Sequence, residues 1–529
     1  MPDQTPASQP VANTSAEGRY AQLEAARSPF LQAGREASEL TVPGLLPPEG
    51  TNTPDSMPTP FQSLGARAVN NLASNLLLVL FPPGAPFFRL KLAAKMLKEL
   101  RDKLSDRKDI AQEFEQAFSR IEKTIMDALE ASNARTVLVE ALKHLIVAGN
   151  VLLQVLKDGD FKFYTLDSFV IVRDLEGQPI EIIFREGLSP ATLPPKVREI
   201  VERVTKEKGG DQPVEKTIWL YTRVRFESPQ WFATQEVMGQ IVPDSEGHYP
   251  KSKSPFIPLR WSVVSKESYG RGLIQEYIGD LRSLESLSAS IVKFAAACAK
   301  ILFMVNEGGV TSKRAIQNAD SGDIVDGDAK DVTVLQVEKF ADFQVASSTA
   351  ERLEKRLEQA FLLFTSVQRN AERVTAEEIR FLAGELEKAF GGVYSTLSRE
   401  LQLPLVQRYM ANLQRMNLLP AVPEGAIDPQ IITGLDGLGR NADLARLDAF
   451  LAGLGQQFGP EAIAEYVNVG VYANRRAIAL GIEVGGGLLR SEEEVQKSRQ
   501  ATAQREMIGK LGPQAIRAAT SAQPQQQGE

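Results

Sequence analysis

The hydrophobic positions in the first 150 residues follow the helical period. From Ile110 to Leu129 apolar residues recur at steps of three and four, which is typical of a helix with one buried face. Pro82 and Pro83 end a dense apolar segment, and Gly149 follows another. The pattern therefore predicts four helices, over residues 20–39, 61–80, 110–129 and 135–147.

Between residues 150 and 265 the period changes to that of β-strands. Short segments rich in β-branched and aromatic residues alternate with turn residues such as Asp158-Gly159. The predicted strands cover residues 151–156, 161–166, 169–173, 181–184 and 217–226. One charged helix is predicted near 195–208. This region is therefore expected to be a mostly β insertion.

From Tyr269 the helical period returns, and apolar residues form a narrow stripe from Leu273 to Cys298. Such a stripe on a long helix predicts packing against neighbouring helices rather than around a compact core. Residues 301–345 then break into short β-like pieces with Gly and Asp turns. A second helix is predicted to start near Ser347 and to carry an apolar face as far as Phe364.

A third helix is predicted to begin at Thr375, because Thr375-Ala-Glu-Glu378 fits a capping box. Gly391-Gly392 is expected to kink this helix and Pro404 to disrupt it. The last hundred or so residues predict loops and short helices, with a disordered Gln-rich end. The expected fold class is α+β, predominantly α.

Size and charge narrow the classes of function. A chain of 529 residues is expected to hold more than one packed region. Its 43% hydrophobic and 24% charged residues are ordinary for a globular protein. The formal net charge is −7, whereas tight DNA binding normally uses a basic excess to neutralise phosphates. Any contact with DNA is therefore expected to depend on geometry rather than on strong attraction.

Residues suited to metal, redox or catalytic chemistry are scarce. Cys298 is the only cysteine, and we interpret it as a small core residue. The two histidines, His144 and His248, exclude a His-rich metal site, and His144 is expected to be packed or partner-bound. The sequence contains no GxxxxGK[ST] loop and no nucleophile elbow. We therefore expect no cofactor, no bound metal and no enzymatic activity.

Two further patterns concern calcium and membranes. Five aspartates between Asp320 and Asp331 suggest calcium, but the ligand order of an EF-hand is absent, so Asp-Gly turns are favoured. The N-terminal residues resemble no signal peptide. The apolar stretches are shorter than the roughly 18 residues that a membrane-spanning helix needs. No membrane partner is expected.

Several sequence strings resemble, in the same order, the head-to-tail connector, or portal, family of T7-like podoviruses. The resemblance extends over residues 15 to 480, and the set of strings is specific although each string alone is weak. The strings are Gly65-Ala-Arg67, Asn70-Asn71-Leu72-Ala73, Val147-Ala-Gly-Asn-Val-Leu-Leu153, Glu267-Ser-Tyr-Gly-Arg271, Asp280-Leu-Arg-Ser-Leu-Glu285, Glu372-Arg-Val-Thr-Ala-Glu-Glu-Ile379, Gly391-Gly-Val-Tyr394 and Glu400-Leu-Gln-Leu-Pro404.

The resemblance implies a portal fold with a wing, a two-helix stem, an α/β clip between the stem helices, a tunnel loop and a helical crown. The expected boundaries are 1–268 for the first part of the wing, 269–300 for the first stem helix, 301–345 for the clip, 346–364 for the second stem helix, 365–374 for the tunnel loop, 375–440 for the long kinked wing helix and the segment after it, 441–505 for the crown and 506–529 for a flexible tail.

The resemblance also implies an assembly and its partners. The family forms a ring, usually of twelve subunits, at one capsid vertex, through which double-stranded DNA enters and leaves. The implied protein partners are the terminase large subunit, the major capsid protein, a tail adaptor and internal core or scaffolding proteins. The expected location is the virion, and the host cytoplasm during assembly. Packaging energy would come from the terminase ATPase.

The candidate DNA-facing site is the tunnel loop, represented by Gln368, Arg369, Asn370 and Arg373. Contacts to phosphates carry no direct base information, so arginines here could touch a sliding duplex without sequence preference. Alternatively, they are ordinary solvated loop charges. Two other functions stay open: a virion scaffold or baseplate-like structural protein without a DNA channel, and, more distantly, a hydrolase that uses scattered carboxylates.

Overall fold

The computed structural model describes most of the first 419 residues and a smaller part of the remainder. The described residues are 15–50, 57–83, 86–93, 96, 110–207, 217–298, 302–335, 340–363, 376–419, 427–431, 439–459, 467, 469–470, 472–473 and 476. The chain divides into two compact units. The first unit contains residues 1–104 and 121–434, and the second contains residues 105–120 and 435–529.

The four predicted N-terminal helices are confirmed. They are α1 (Ala16–Glu39), α2 (Leu64–Leu80), α3 (Ile110–Ala131) and α4 (Ala134–Ala148). Ser15 caps α1, because its hydroxyl accepts the backbone N–H of Gly18 at 3.1 Å. Gly149 ends α4 in the left-handed region, with a φ of 76°.

The region from 150 to 260 is the predicted β insertion, here called the β domain. Its strands are β2 (Asn150–Val155), β3 (Phe161–Tyr164), β4 (Phe169–Arg173), β5 (Pro179–Leu188), β6 (Ile218–Glu227), β7 (Gln230–Val237), β8 (Gln240–Ile241), β9 (Gly247–Pro250) and β10 (Phe256–Arg260). They form a three-stranded sheet in the order β10-β2-β3 and a six-stranded sheet in the order β4-β5-β6-β7-β8, with β9 also paired to β7. All the pairings are antiparallel.

Hydrophobic clusters hold the β domain to the helices around it. The main cluster joins the inner faces of the two sheets to α1 and α4 through residues such as Leu152, Phe184 and Ala148. The predicted charged helix, α5 (Pro195–Glu207), buries Val197, Ile200, Val201 and Val204 against β6 and β7. Burial of this apolar surface is the main source of stability for the unit.

A buried arginine fixes α1 to the β domain. The Arg27 side chain is only 2% exposed, and its Nη1 donates to the Tyr20 hydroxyl at 2.6 Å and to the Asp167 carbonyl at 2.7 Å. Its Nη2 pairs with Glu24 at 2.6 Å. These charge-assisted hydrogen bonds offset part of the cost of burying the guanidinium, whose Nε has no hydrogen-bond partner among the described residues.

The second half of the first unit consists largely of helices. A short helix, α6 (Leu273–Glu276), precedes α7 (Ile278–Cys298), and the next long helix is α9 (Phe340–Ala360). Between them lie β11 (Leu302–Val305), the short helix α8 (Lys313–Gln317) and β12 (Val332–Leu335). Two expected starting points were wrong. The first long helix begins after Tyr269, which is buried in the β-domain cluster, and the second begins at Phe340 rather than near Ser347.

The third predicted helix, α10 (Ala376–Leu397), is kinked as expected, with non-helical φ and ψ at Phe390, directly before Gly391-Gly392. The expectation that Pro404 disrupts it was wrong. A π-helical segment, Ser398–Gln402, carries the chain into α11 (Leu403–Arg415), in which Pro404 occupies the first turn. Proline is tolerated there because the first-turn N–H groups have no partner within the helix.

One long-range strand pair was not predicted. β1 (Phe88–Leu92) pairs antiparallel with β13 (Ile427–Ile431). Leu90 donates its N–H to the buried Glu122 carboxylate at 2.8 Å, which joins the pair to α3. In the second unit, α12 (Gly439–Phe458) is a helix of 20 residues, longer than the short helices expected there. Most of the expected crown, 441–505, lies outside the described residues.

Candidate functional site: a helical hairpin and its end lobe

Helices α7 and α9 form an antiparallel hairpin in which aromatic contacts mark both ends. The Tyr277 and Phe361 rings lie 5.2 Å apart at one end, and the Phe294 and Phe343 rings lie 5.3 Å apart at the other. Leu281, Leu284 and Leu357 are buried between them. An ion pair between Arg356 and Asp280 crosses the hairpin near the first end. Among the described residues, the two helices thus share one packed seam.

The first end of the hairpin is its base, because it is attached to the N-terminal helices. The Glu285 carboxylate accepts the backbone N–H groups of Phe61 at 2.9 Å and of Gln62 at 3.2 Å. Arg282 forms an ion pair with Glu36 of α1. Arg67 of α2 lies 3.5 Å from Glu358 of α9. These contacts from both helices anchor the base of the hairpin.

Away from the base, much of the apolar stripe is open. Leu281 and Leu284 are the buried residues of α7, whereas Val292 on α7 and Val345 on α9 are 51% and 65% exposed. Cys298 is exposed, so its interpretation as a core residue was wrong within a single chain. A stripe predicted to pack on neighbouring helices is therefore only partly covered by its own hairpin partner.

Residues 302–335, here called the end lobe, connect the two hairpin helices. Strands β11 and β12 pair antiparallel from Leu302↔Leu335 to Val305↔Val332. Thr311 links two loops of the lobe by hydrogen bonds. Its hydroxyl lies 3.1 Å from an Asp331 carboxylate oxygen and accepts the Asp328 N–H at 2.9 Å.

Two of the five aspartates, Asp323 and Asp328, act as turn residues, which is the interpretation favoured over calcium binding. Asp323 accepts the Asp320 N–H at 2.8 Å, and Asp328 caps a short 3-10 turn by accepting the Lys330 N–H at 3.0 Å. Within the described part of the chain, no group of three or more His, Cys, Asp or Glu residues is arranged to hold a metal ion.

The predicted DNA-facing residues, Gln368, Arg369, Asn370 and Arg373, lie outside the described residues, as does the capping residue Thr375. The last described residue before them is Leu363, and the first one after them is Ala376. Their placement in a channel therefore stays a prediction.

One buried ion cluster escaped the sequence-based prediction. Glu400, in the π-helical segment, accepts the Arg260 backbone N–H at 3.2 Å and the Arg260 Nε–H at 3.1 Å. Arg173 of β4 lies 3.8 Å from the same carboxylate, and burial lowers the pKa of Arg173 to about 10 although Glu400 acts to raise it. The cluster therefore ties the segment between α10 and α11 to the β domain.

His144 is packed in the core. Its side chain is 5% exposed, and its ring centroid lies 5.4 Å from that of Phe163. Burial lowers the pKa of His144 to about 4, although Asp167 and Glu140 act to raise it. The imidazole is therefore neutral at neutral pH.

Among the helices that the structure describes, none is both long and apolar enough to cross a membrane.

Comparison with known proteins identifies the family. The family model for bacteriophage head to tail connecting proteins matches residues 13–485. The portal protein of Escherichia phage T7 is 39% identical over 501 residues, which are 93% of this chain and 92% of that protein. The portal protein of Enterobacteria phage T3 is 38% identical and covers 92% of this chain and 91% of that protein.

Solved structures are more distant. A chain from the neck of an empty gene transfer agent particle has 10% identity and a TM-score of 0.37, over 76% of this chain and 89% of that chain. Such a score is too low to transfer any detail of that particle.

The family model and the two curated relatives cover nearly the whole chain. This chain belongs to the bacteriophage head to tail connecting protein family.

Proposed function

We propose that this chain is the portal subunit of a short-tailed phage and that its copies form a ring-shaped channel for double-stranded DNA at one capsid vertex. The match to portal proteins over more than nine-tenths of the chain carries this proposal. The same relatives make a scaffold or baseplate-like protein without a channel the less favoured alternative. The proposed location is the virion, reached from the host cytoplasm during assembly.

The open faces of the α7–α9 hairpin support ring formation. Val292, Val345 and Cys298 are exposed on a hairpin whose described anchoring contacts lie at its base. Contacts between two different faces of identical subunits close into a ring when the rotation allows it. Light scattering at micromolar concentration and moderate salt is expected to give one large, defined mass. A stable monomer under these conditions would argue strongly against the ring. The number of twelve subunits follows from the resemblance alone.

The proposed channel guides DNA without holding it. The net charge of −7 suits a surface along which a duplex slides, because many phosphate contacts would slow movement in a salt-dependent way. Arg369 and Arg373 are proposed to touch phosphates transiently, together with Gln368 and Asn370. Each arginine contact is expected to contribute about 1 kcal/mol or less, as exposed ion pairs usually do.

The two arginines can be tested together. Arg369→Ala/Arg373→Ala rings are expected to assemble normally but to alter packaging or retention of DNA in a salt-dependent manner. Arg203→Ala/Lys206→Ala, which removes two charges from α5, serves as the matched control. If the double variant packages and retains DNA like the parent protein at every salt concentration, Arg369 and Arg373 are ordinary solvated loop charges.

The protein partners are proposed from the family resemblance. The end lobe is expected to bind the terminase large subunit during packaging and the tail adaptor afterwards. The major capsid protein and the internal core or scaffolding proteins are expected to bind elsewhere on the ring. The subunit itself is proposed to be structural, with terminase supplying the energy of packaging.

Deletion of Gly308–Asp328 tests the docking role of the end lobe. Rings that still form after this deletion should no longer bind the adaptor in a pull-down. Normal adaptor binding would show that the adaptor docks outside the lobe.

A further inference from the structure

Arg408 of α11 is a buried arginine that has no carboxylate partner among the described residues. It is 5% exposed, its Nη1 donates to the Lys253 carbonyl at 3.1 Å, and its buried Nε has no hydrogen-bond partner among the described residues. A buried charge without a counter-charge is costly, so Arg408 indicates an anion that the single chain does not supply. The other arginines buried in the described part of the chain have carboxylate partners: Arg27 pairs with Glu24, Arg223 with Glu181 and Arg260 with Glu400.

Two loops of the β domain meet beside Arg408. Because β2 pairs antiparallel with β10, the loop after β2 (156–160) and the loop before β10 (251–255) lie at the same end of their sheet. Helix α11 contacts both loops: Arg408 donates to the second loop, and Arg415 donates to the Lys157 carbonyl of the first loop at 3.1 Å. Residues seven apart lie on one face of a helix, so α11 presents both guanidinium groups to this end of the sheet.

The exposed side chains that these contacts bring around Arg408 are basic. Arg415, Lys157 and Lys251 are exposed, and none of the three has an ion-pair partner among the described residues. Lys251 lies instead over an aromatic ring, with its Nζ 5.4 Å from the centroid of Phe226. A buried positive charge is therefore surrounded by further positive charges at the surface.

The acidic residues of the two loops are engaged in local hydrogen bonds. Asp158 accepts the Asp160 backbone N–H at 3.2 Å, and Asp160 accepts a backbone N–H at the start of α4 at 3.2 Å. Burial lowers the pKa of Arg408, while Tyr249 acts to raise it and the charge of Arg415 acts to lower it further. The charged side chain that acts on Arg408 is thus a second arginine rather than a carboxylate.

We propose that Arg408, with Arg415, Lys157 and Lys251 around it, binds an acidic segment of a protein partner, which places a Glu or Asp carboxylate against the Arg408 guanidinium. Arginines in desolvated positions are typical energetic centres of protein interfaces, and pairs of arginine with carboxylate are among the strongest hydrogen-bonded contacts. Exposed charges at the rim steer the encounter. The site requires neither a ring nor a DNA channel.

Duplex DNA fits this surface less well than an acidic protein segment. The phosphates of a duplex are fixed on a cylinder, so they would meet the exposed Arg415, Lys157 and Lys251 but not a residue that is only 5% exposed. A carboxylate at the end of a flexible side chain can reach such a residue. The net charge of −7 also disfavours strong attraction of a duplex.

Fluorescence anisotropy tests the site with a labelled peptide of alternating glutamate and glycine, titrated with the full-length protein at moderate salt. Lys251→Gln/Arg415→Gln removes two exposed charges and is expected to weaken peptide binding about tenfold. Arg203→Gln/Lys206→Gln removes the same two kinds of charge from α5 and serves as the matched control, with an affinity within about twofold of the parent's. Equal losses in both variants, or no binding by the parent, would overturn the proposal.

Arg408→Gln tests the buried charge itself. It is expected to weaken peptide binding about thirtyfold or more, because truncating one partner of a buried charge pair at an interface costs more than removing a rim charge. Denaturant unfolding of the same variant shows whether it is folded. A folded Arg408→Gln protein with the parent's affinity would overturn the proposal. If this variant does not fold, the Lys251→Gln/Arg415→Gln variant decides.

Carbodiimide coupling locates the bound peptide, because the reagent joins a carboxylate to a nearby lysine amine. Mass spectrometry should find the peptide on lysines of the two loops, which are Lys157, Lys251 and Lys253; attachment only to other lysines would overturn the proposal. Two further results would assign the surface to another occupant and overturn it as well. The first is a short DNA duplex that loses affinity in Lys251→Gln/Arg415→Gln while the peptide does not. The second is a parent that binds no peptide and whose assembly this double change weakens, which would show that a second copy covers the surface.

Discussion

Replacing Glu400 by glutamine is expected to destabilise the first unit strongly. The Arg173 and Arg260 side chains are 3% and 5% exposed, and the Glu400 side chain is 16% exposed. Within the described residues, Glu400 is the carboxylate that lies within ion-pair distance of both guanidinium groups. Glutamine keeps the size and an oxygen that can accept the Arg260 N–H, but it leaves two buried positive charges without their counter-charge.

The magnitude follows from the burial. Removing one partner of a buried ion pair typically costs about 3–5 kcal/mol, because the remaining charge stays desolvated. Arg173 keeps donors engaged with the Ser268, Gly177 and Pro258 carbonyls at 3.0–3.1 Å, which places the expected loss at the lower end, about 3 kcal/mol. The exposed pair between Glu385 and Lys388 on α10 supplies the control. Its change Glu385→Gln should cost less than about 0.5 kcal/mol.

Denaturant unfolding measures the difference in free energy. Tryptophan fluorescence is a suitable signal because Trp261, next to Arg260, is 1% exposed and packs 5.8 Å from the Phe390 ring. All variants are compared at the same protein concentration, since assembly stabilises the folded chain by mass action. A loss for Glu400→Gln no larger than that of Glu385→Gln would refute the view that this cluster holds the π-helical segment to the β domain.

Three further predictions test single positions. Gly149→Ala should lower the yield of folded protein markedly, because Gly149 has a φ of 76° and an added Cβ would lie 2.4 Å from a neighbouring backbone; normal yield contradicts this. The folded pKa of His144, about 4, lies below its usual 6.5, so stability should fall by up to about 3 kcal/mol between pH 6.5 and 4. His144→Leu should weaken that dependence when unfolding is measured at both pH values. Arg185→Ala should cost about 1–2 kcal/mol in denaturant unfolding, because the Arg185 guanidinium lies between the Tyr20 and Trp219 rings at 4.9 and 4.7 Å; an unchanged midpoint refutes this.

Periodicity predicted the elements whose stability is mainly local or amphipathic. The helix from Ile110 and the strand Phe169–Arg173 were predicted from their own residues. Strands β7, β9 and β10 were not predicted individually. In β10, Pro258 interrupts the strand signal and is accepted because β10 is an edge strand of its sheet. Local sequence does not identify the strand beside which β10 will lie.

Long-range contacts account for the other differences. The pairing of β1 with β13 joins residues more than 300 positions apart, and neither strand has a strong pattern by itself. Glu400 was part of a recognised string, but its two arginine partners come from the β domain. Pro404 would end most helices, but here it follows a π-helical segment and lies in the first turn of α11, where proline is tolerated.

For the candidate site, the sequence predicted the two hairpin helices, the connecting segment and the kinked helix that follows. It also placed an apolar stripe on α7 that the hairpin covers only in part. The tunnel-loop residues, including Arg369 and Arg373, came from the resemblance and their position between helices, and they stay a prediction.

Electron microscopy of the purified, full-length protein tests the portal assignment most directly. Single particles viewed end-on should show closed rings of one symmetry with a central hole, and side views should show a narrower end formed by the hairpins and their lobes. Monomers alone, or compact assemblies without a hole through them, would contradict a channel for DNA.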